Sequence, residues 1–220
     1  MEGNPFINWH GWIKADSPYF KYENGALIDI QKGVMIAFCS DADSYTIPLS
    51  VTTIGDYAFC ECNGLTSIFI PPSVTIIGNQ AFAGCYGLTS ITIPPSVTTI
   101  GDDAFRECNA LTSIAIPPSV TSIGAYAFES CHNLISITIP PSVTTIGEGA
   151  FSCCGRLTSI IIPASVKNIG QGTFSNCVSL TSITIPPSVT TIGGNAFWDC
   201  PSLNDATKSE ILRRFRHKIP

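Results

Sequence analysis

A phenylalanine recurs every 23 residues through most of this chain. A Cys follows each Phe three positions later, and a Leu follows each Cys by three more. The unit reads C-x-x-L-x-x-I-x-I-P-P-S-V-x-x-I-G-x-x-A-F-x-x. Its phenylalanines are Phe59, Phe82, Phe105, Phe128, Phe151, Phe174 and Phe197. Because a fixed period of this length is the signature of repeat architectures, the spacing predicts a stack of like units.

The pattern within one unit predicts a strand, a bend and a return. Ile68 and Ile70 alternate with polar or exposed positions, as one face of a β-strand does. Pro71 then ends the strand, because proline has no N–H to donate to a sheet. Phe82 and Cys85 fill the far wall. No unit can bury its apolar side alone, so stacked units share one linear core, with their strands about 4.8 Å apart in one parallel sheet.

These columns resemble the leucine-rich-repeat pattern in its bacterial surface-antigen form, BspA-like or Treponema-type, over about residues 45–203. The resemblance implies a right-handed superhelix with one curved parallel β-sheet. It also implies recognition of another protein, or adhesion, as the usual role. We therefore divide the chain into an N-terminal β-hairpin cap (1–44), seven repeats (45–203) and a short C-terminal helical cap (204–220).

The N-terminal cap should contain short strands at 19–22, 26–30 and 34–39. Asn24-Gly25 is a strong hairpin turn signal, and Lys32-Gly33 marks a second turn. Upstream, Trp9, His10 and Trp12 have two interpretations, an aromatic ligand patch or a cover for the first coil. We favour the cover.

The C-terminal segment predicts a short helix that seals the last coil. Thr207 and Glu210 fit a capping box. One helical stripe carries Ile211, Leu212, Phe215 and Ile219. Residues 204–220 also hold five basic and two acidic groups. These could bind an acidic partner or nucleic acid, but we interpret them as solvated residues that complement the helix C-terminus.

Ten cysteines raise the question of disulfides, and their spacing argues against them. Seven occupy one inward column, which cannot pair completely. We predict a ladder of free thiols that donate weakly to loop carbonyls, as suits a reducing compartment. Cys60 and Cys153 fall at variable positions outside the column. No Cys-x-x-Cys pair is present, so we predict no zinc site.

Composition and motifs exclude several classes of function. A net charge of −5 disfavours a broad nucleic-acid surface, and no apolar run of about 18 residues predicts membrane insertion. The N-terminus has no signal-peptide pattern. No nucleophile elbow, zinc-protease motif or phosphate loop occurs, and Asp102 and Asp103 fit a solvated turn better than an acid/base pair. We predict no enzyme activity, no cofactor and no metal.

The outward positions of the repeated strands are the candidate partner surface. They carry no charge, and a smooth Ser/Thr field is interrupted by Phe69, Ile135 and Ile161. The candidate residues on this predicted concave face are Ser67, Phe69, Ser90, Thr92, Ser113, Ala115, Ile135, Ser136, Thr138, Ser159, Ile161, Ser182 and Thr184. Exposed apolar residues in a polar field are typical of binding hot spots, although scattered ones are also ordinary. Variable positions near each Gly and Cys form the alternative surface.

We therefore expect a non-catalytic protein-binding or scaffolding module, in an adhesive version if it acts outside the cell. A structural array, or a glycan-binding surface that uses the Ser/Thr ladder, is the alternative. The partner is expected to be another protein, and the chain itself a monomer. The free-thiol pattern favours the cytoplasm, while the family resemblance allows the cell surface.

Overall fold

The computed structural model describes residues 17–215, which form a β-solenoid closed by one helix. Trp9, His10, Trp12 and Ile219 lie outside the described residues. The strands are β1 (Phe20–Glu23), β2 (Ala26–Asp29), β3 (Val34–Phe38), β4 (Ser44–Thr46), β5 (Thr53–Ile54), β6 (Ser67–Phe69), β7 (Ile76–Ile77), β8 (Thr99–Ile100), β9 (Ser113–Ala115), β10 (Ser122–Ile123), β11 (Ser136–Thr138), β12 (Thr145–Ile146), β13 (Ser159–Ile161), β14 (Asn168–Ile169), β15 (Ser182–Thr184) and β16 (Thr191–Ile192). The helix is α1 (Asp205–Phe215).

Each coil has three walls, which we name the first ladder, the second ladder and the turn wall. The first ladder contains the Ile-x-Ile segments, namely β4, β6, residues 90–92, β9, β11, β13 and β15. The second ladder contains the short strands before each repeat glycine, namely β5, β7, β8, β10, β12, β14 and β16. The turn wall carries the Ala-Phe pairs, with Thr173-Phe174 in their place in one coil. Parallel pairing along the coils confirms the repeat-solenoid fold expected from the sequence.

The continuous sheet runs along the second ladder. Ten strands pair in the order β1-β2-β3-β5-β7-β8-β10-β12-β14-β16. The first ladder, which we expected to form the sheet, pairs only as β4–β6, β9–β11 and β13–β15. The repeat glycines explain the difference. A Cβ at Gly124 would clash with the carbonyl group of Gly101, so only a residue without a side chain lets the coils close at this wall.

The turn wall has a third set of hydrogen bonds, which the repeat pattern does not predict. Three alternate N–H groups of each coil donate to carbonyls of the following coil. Asp103 N donates to Ala125 O, and Phe105 N to Ala127 O, each at 2.8 Å. The second ladder includes bonds to the preceding coil, as Gly78 N donates back to Ile54 O at 2.8 Å. We call this forward-donating set the turn ladder.

Two residues per turn adopt left-handed backbone angles, which set the turn wall's shape. Ser130 and Asn176, for example, both have φ of 57°. Gly84, at the equivalent position of another coil, has φ of 71°. Left-handed angles cost an L-residue about 1–2 kcal/mol, so the fold accepts this strain at most coils and relieves it where glycine occurs.

The repeated phenylalanines form one stack behind the turn wall. Neighbouring ring centroids from Phe59 to Phe197 lie 5.0–5.6 Å apart, with planes within 10° of parallel. All of them are fully buried except Phe197, which ends the stack and is only partly buried. The stack and the aliphatic columns together form one linear core that runs through the coils.

The N-terminal cap joins an antiparallel hairpin to the parallel ladder. β1 pairs with β2, and Asn24 and Gly25 have φ of 50° and 82°, which confirms the predicted turn. β2 pairs antiparallel with β3, and β3 pairs parallel with β5. Phe38 then contacts Tyr45 with ring centroids 4.6 Å apart, so the cap covers the first coil.

The helix begins earlier than the predicted capping box. Asn204 is its N-cap, because its Oδ1 accepts a 2.8 Å hydrogen bond from Thr207 N. The capping box of Thr207 and Glu210 is therefore wrong, since Thr207 is buried within the first turn. The predicted apolar stripe is only partly right: Ile211 and Phe215 are buried, whereas Leu212 is 51% exposed.

Arg214 closes the end of the last coil. Its guanidinium donates to Val189 O at 2.8 Å and to Ile185 O and Pro186 O at 2.9 Å. Between inner coils the corresponding valine carbonyl accepts from a serine hydroxyl of the next coil, as Val166 O does from Ser188 Oγ at 3.1 Å. Arg214 therefore replaces the serine that an additional coil would supply, and its interpretation as a solvated residue is wrong.

We expect Arg214→Ala to lower the free energy of unfolding of the last coil by about 2–4 kcal/mol, because several carbonyls lose a charged donor. Hydrogen exchange of residues 185–192 would report it. Arg213→Ala is the matched control, since Arg213 is exposed one position away. Equal protection in the two variants would contradict the closing role of Arg214.

We expect Ser130→Gly to raise the free energy of unfolding by up to about 1 kcal/mol, and Ser130→Val to lower it by about 1–2 kcal/mol. The reason is that the left-handed backbone at this position penalises a β-branched side chain most. Urea denaturation would measure both. Similar stability of the Gly and Val variants would show that this turn relaxes out of the left-handed region.

Candidate functional site

The structure places every candidate residue of the first ladder on its outer side. Along β6, β9, β11 and β13 the first and third residues are exposed and the middle isoleucine is buried. Ser90 and Thr92 are exposed in the coil that has no assigned strand, Thr184 is exposed, and Ser182 is half-exposed. The alternation therefore presents one uncharged face.

Three apolar side chains stand out of this face. Phe69 is 55% exposed, Ile135 40% and Ile161 69%. Phe69 and Ile161 are separated by four coils, which at about 4.8 Å per coil is roughly 19 Å, so they cannot form one patch. They are separate anchor points along one surface.

The surroundings of Phe69 form a shallow depression of about 300 Å³. It lies between β4 and β6 and is lined by Ser44, Thr46, Ser67 and Phe69, with Tyr45 and Ile68 beneath. Tyr45 is in the core, where burial, with the charge of Glu23, raises its pKa to about 12. The depression thus offers an aromatic face, aliphatic hydroxyls and no charge.

The threonine column beside the candidate residues supports the face through backbone contacts. Thr66 Oγ1 donates to Asp43 O at 2.9 Å, and Thr181 Oγ1 donates to Thr158 O at 3.0 Å. These hydroxyls point back along the solenoid and connect successive coils. Ile135 occupies the same column, so its side chain replaces one such connection with exposed apolar surface.

The turn wall holds most of the charged side chains of the repeats. Arg106 lies 3.1 Å from Glu129, 3.5 Å from Glu107 and 3.6 Å from Asp103. Tyr86 donates to Glu107 at 2.8 Å. A depression of about 220 Å³ adjoins Cys60, Tyr86, Arg106 and Glu107. These positions vary from repeat to repeat in the sequence, and they come from different coils, so only the fold shows that they lie together.

Asp102 and Asp103 have separate structural roles. Asp102 Oδ1 accepts from Ala125 N in the following coil at 2.7 Å. In the same way, Asn79 Oδ1 in the preceding coil accepts from Asp102 N at 2.9 Å. Burial raises the pKa of Asp103, against the opposing effect of its ion pair with Arg106. The pair therefore faces different partners, as expected for a turn rather than for an acid/base site.

The cysteine column lines the core beside the phenylalanine stack. Cys85 Sγ lies 3.0 Å from Phe59 O, and Cys108 Sγ lies 3.2 Å from Phe82 O. The thiols of the following coils repeat the contact through Cys200. At the first coil, Cys62 is only half-buried and its sulfur is 4.0 Å from Phe38 O. Each inner thiol therefore donates to a carbonyl that lies in the preceding coil.

Residues 17–215 contain neither a metal-binding cluster nor a membrane-spanning helix. No group of three or more His, Cys, Asp or Glu side chains in this range is arranged to hold a metal ion. In the same range, no helix is long and apolar enough to cross a membrane.

The repeats of this chain match a known repeat family, in agreement with the coil architecture. The family model for the BspA type leucine rich repeat region matches residues 31–123 and 99–219 with six copies, so the chain belongs to that family. No curated protein matches. A solved leucine-rich repeat protein from Treponema pallidum is similar over 94% of this chain and 98% of its own length, at 29% identity and TM-score 0.82.

Two further solved leucine-rich repeat proteins are longer. The one from Bacteroides ovatus is 34% identical and has a TM-score of 0.72, and the match covers 83% of this chain and 48% of that protein. The one from Eubacterium ventriosum is 28% identical with a TM-score of 0.79, covering 87% and 52% respectively. This chain therefore spans about half the length of these two and nearly all of the Treponema protein.

We expect the buried thiols to make stability depend on alkaline pH. Burial raises the pKa of Cys131 from 9.0 to about 12. Because the folded state holds this proton more tightly than the unfolded state, its contribution is complete below about pH 9 and is lost as pH rises towards 12. Urea denaturation between pH 8 and 11 should show a falling free energy of unfolding.

Cys131→Ser is the matched variant, because serine keeps a donor but does not ionise in this range. We expect its decline to be shallower by up to about 1.4 kcal/mol per pH unit above pH 9. Parallel curves for the two proteins would contradict a protonated, free Cys131. A thiol-reactive reagent added to the native protein should modify Cys60 and Cys153 before the six buried thiols of the column, which are Cys85, Cys108, Cys131, Cys154, Cys177 and Cys200.

Proposed function

We propose that this chain is a non-catalytic protein-binding module whose first ladder receives the partner. The observation that carries the proposal is the uncharged outer face with Phe69 and Ile161 exposed at separate points. Removing an exposed aromatic or aliphatic side chain from water is favourable, at roughly 25 cal/mol per Å² of apolar area. A partner that spans several coils could bury apolar area at both Phe69 and Ile161, while the serines between them accept hydrogen bonds.

The chemistry of the face supports a neutral, partly apolar partner surface. The candidate residues include no Lys, Arg, Asp or Glu, so long-range steering is weak and specificity depends on shape and hydrogen bonds. Family membership supports a binding or scaffolding role. Adhesion is the version of this proposal in which the partner lies on a cell or matrix surface.

The depression at Phe69 also favours a second candidate, a glycan. A pyranose presents an apolar C–H face and peripheral hydroxyls, which match an aromatic ring surrounded by Ser44, Thr46 and Ser67. The depression lies within the first ladder, so one set of variants examines both candidates.

We expect a Phe69→Arg, Ile161→Arg double variant to lose at least about tenfold in partner affinity. The partner would cover two charged side chains, which must lose their water, in place of two apolar ones. The measurement is retention of cell-surface and cytosolic proteins on the immobilised native chain, followed by titration of the retained protein. A glycan array with the same two chains tests the carbohydrate candidate.

Ile76→Arg is the matched control, because Ile76 is 40% exposed on the second ladder. The proposal requires Ile76→Arg to bind as the native chain does, while the double variant fails and both melt at similar temperatures. If both variants retain the same partner as the native chain, the first ladder is not the binding surface. Retention of glycans alone would favour the second candidate.

A further inference from the structure

The turn ladder stops at the last coil with its donors unused. In the preceding coil, Gly172 N, Phe174 N and Asn176 N donate to Gly194 O, Ala196 O and Trp198 O at 2.8–3.0 Å. The equivalent groups of the last coil belong to Asn195, Phe197 and Asp199. Within residues 17–215 none of these three N–H groups has an acceptor.

The described part of the C-terminal cap, residues 204–215, lies over the first ladder and the loop after it rather than over the turn wall. Asn204 N donates to Thr181 O at 2.9 Å, which continues the first ladder for part of a coil. α1 packs against β15, and Arg214 closes the loop at residues 185–189. Over the turn wall, Trp198 remains 52% exposed and Phe197 is only partly buried.

The open edge is held in the geometry that binds a coil elsewhere. Asn195 and Asp199 have φ of 57° and 53°, the same left-handed angles as their counterparts in inner coils. The ring of Phe197 is 5.6 Å from that of Phe174 on one side and continues the stack's orientation. The donors and the aromatic face are therefore preorganised, which lowers the entropic cost of binding.

We propose that this edge binds a turn of the same repeat type from another polypeptide. The six internal interfaces define the occupant's chemistry: backbone carbonyls on alternate residues and a phenylalanine that stacks on Phe197. The first coil of a second copy does not fit, because its Ala58 O already accepts from Phe38 N at 2.7 Å. Among residues 193–200, which form this edge, Asp199 is the one charged residue, so a segment without acidic residues is favoured.

The probe is a synthetic peptide with the sequence of residues 166–181, which contains Phe174 and Lys167 and no acidic residue. The protein is the full chain, isotope-labelled for amide NMR under reducing conditions. We expect saturable shifts of the Asn195, Phe197 and Asp199 amides. A peptide with Phe174→Asp should bind at least about tenfold more weakly, because a charge cannot stack on the exposed ring.

Hydrogen exchange of the free protein gives an independent check. The amides of Asn195, Phe197 and Asp199 should exchange much faster than those of Gly172, Phe174 and Asn176 in the coil before. Equal protection of the two sets would overturn the proposal, because the edge would already be covered. So would an absence of shifts, or equal shifts with the two peptides.

Two protein variants separate this edge from the first ladder. Phe197→Ala should lower the affinity for the peptide, whereas Phe69→Arg should leave that affinity unchanged. Peptide binding that depends on Phe69 and not on Phe197 would overturn the edge proposal while supporting the first ladder. If Phe69→Arg loses partner binding and still binds the peptide, both proposals are supported, each at its own site.

Discussion

Backbone hydrogen bonding between successive coils is the interaction on which the rest of this structure depends. Each coil donates forward through the turn ladder, as Asp103 N does to Ala125 O, and the second ladder adds bonds to the preceding coil, as from Gly78 N to Ile54 O. The apolar columns can be buried only when those bonds hold the coils together. The glycine and the left-handed turn positions that repeat in each unit allow neighbouring coils to come close enough for these bonds.

The same requirement explains the two ends. A coil without a neighbour leaves polar backbone groups and an apolar core unprotected. At the first coil, a hairpin strand supplies the missing neighbour, because β3 pairs directly with β5. At the last coil, a helix and the Arg214 guanidinium close the loop carbonyls, while three N–H groups of the turn wall have no acceptor within residues 17–215. The two caps therefore solve one problem with different chemistry.

Regularity also limits what the surfaces can recognise. Two of the three walls repeat small hydroxyl side chains, which carry little information for choosing a partner. Distinctive side chains occur where a column is interrupted, as at Phe69 and Ile161, and on the turn wall around Arg106. A repeat of this kind supplies a rigid frame, and a few departures from the repeat supply the chemistry.

The repeat period alone determined the fold class, the core columns and the exposure of Phe69, Ile135 and Ile161, because a 23-residue register decides which side of every coil faces inward. The N-terminal turn at Asn24-Gly25 was also readable, since its residues favour one local geometry. The tertiary structure decided which wall carries the continuous sheet, that Asn204 caps the helix, and that Arg214 is bound to backbone. These depend on approach distances and on unsatisfied groups at a coil's edge, which arise only when separate coils meet in space.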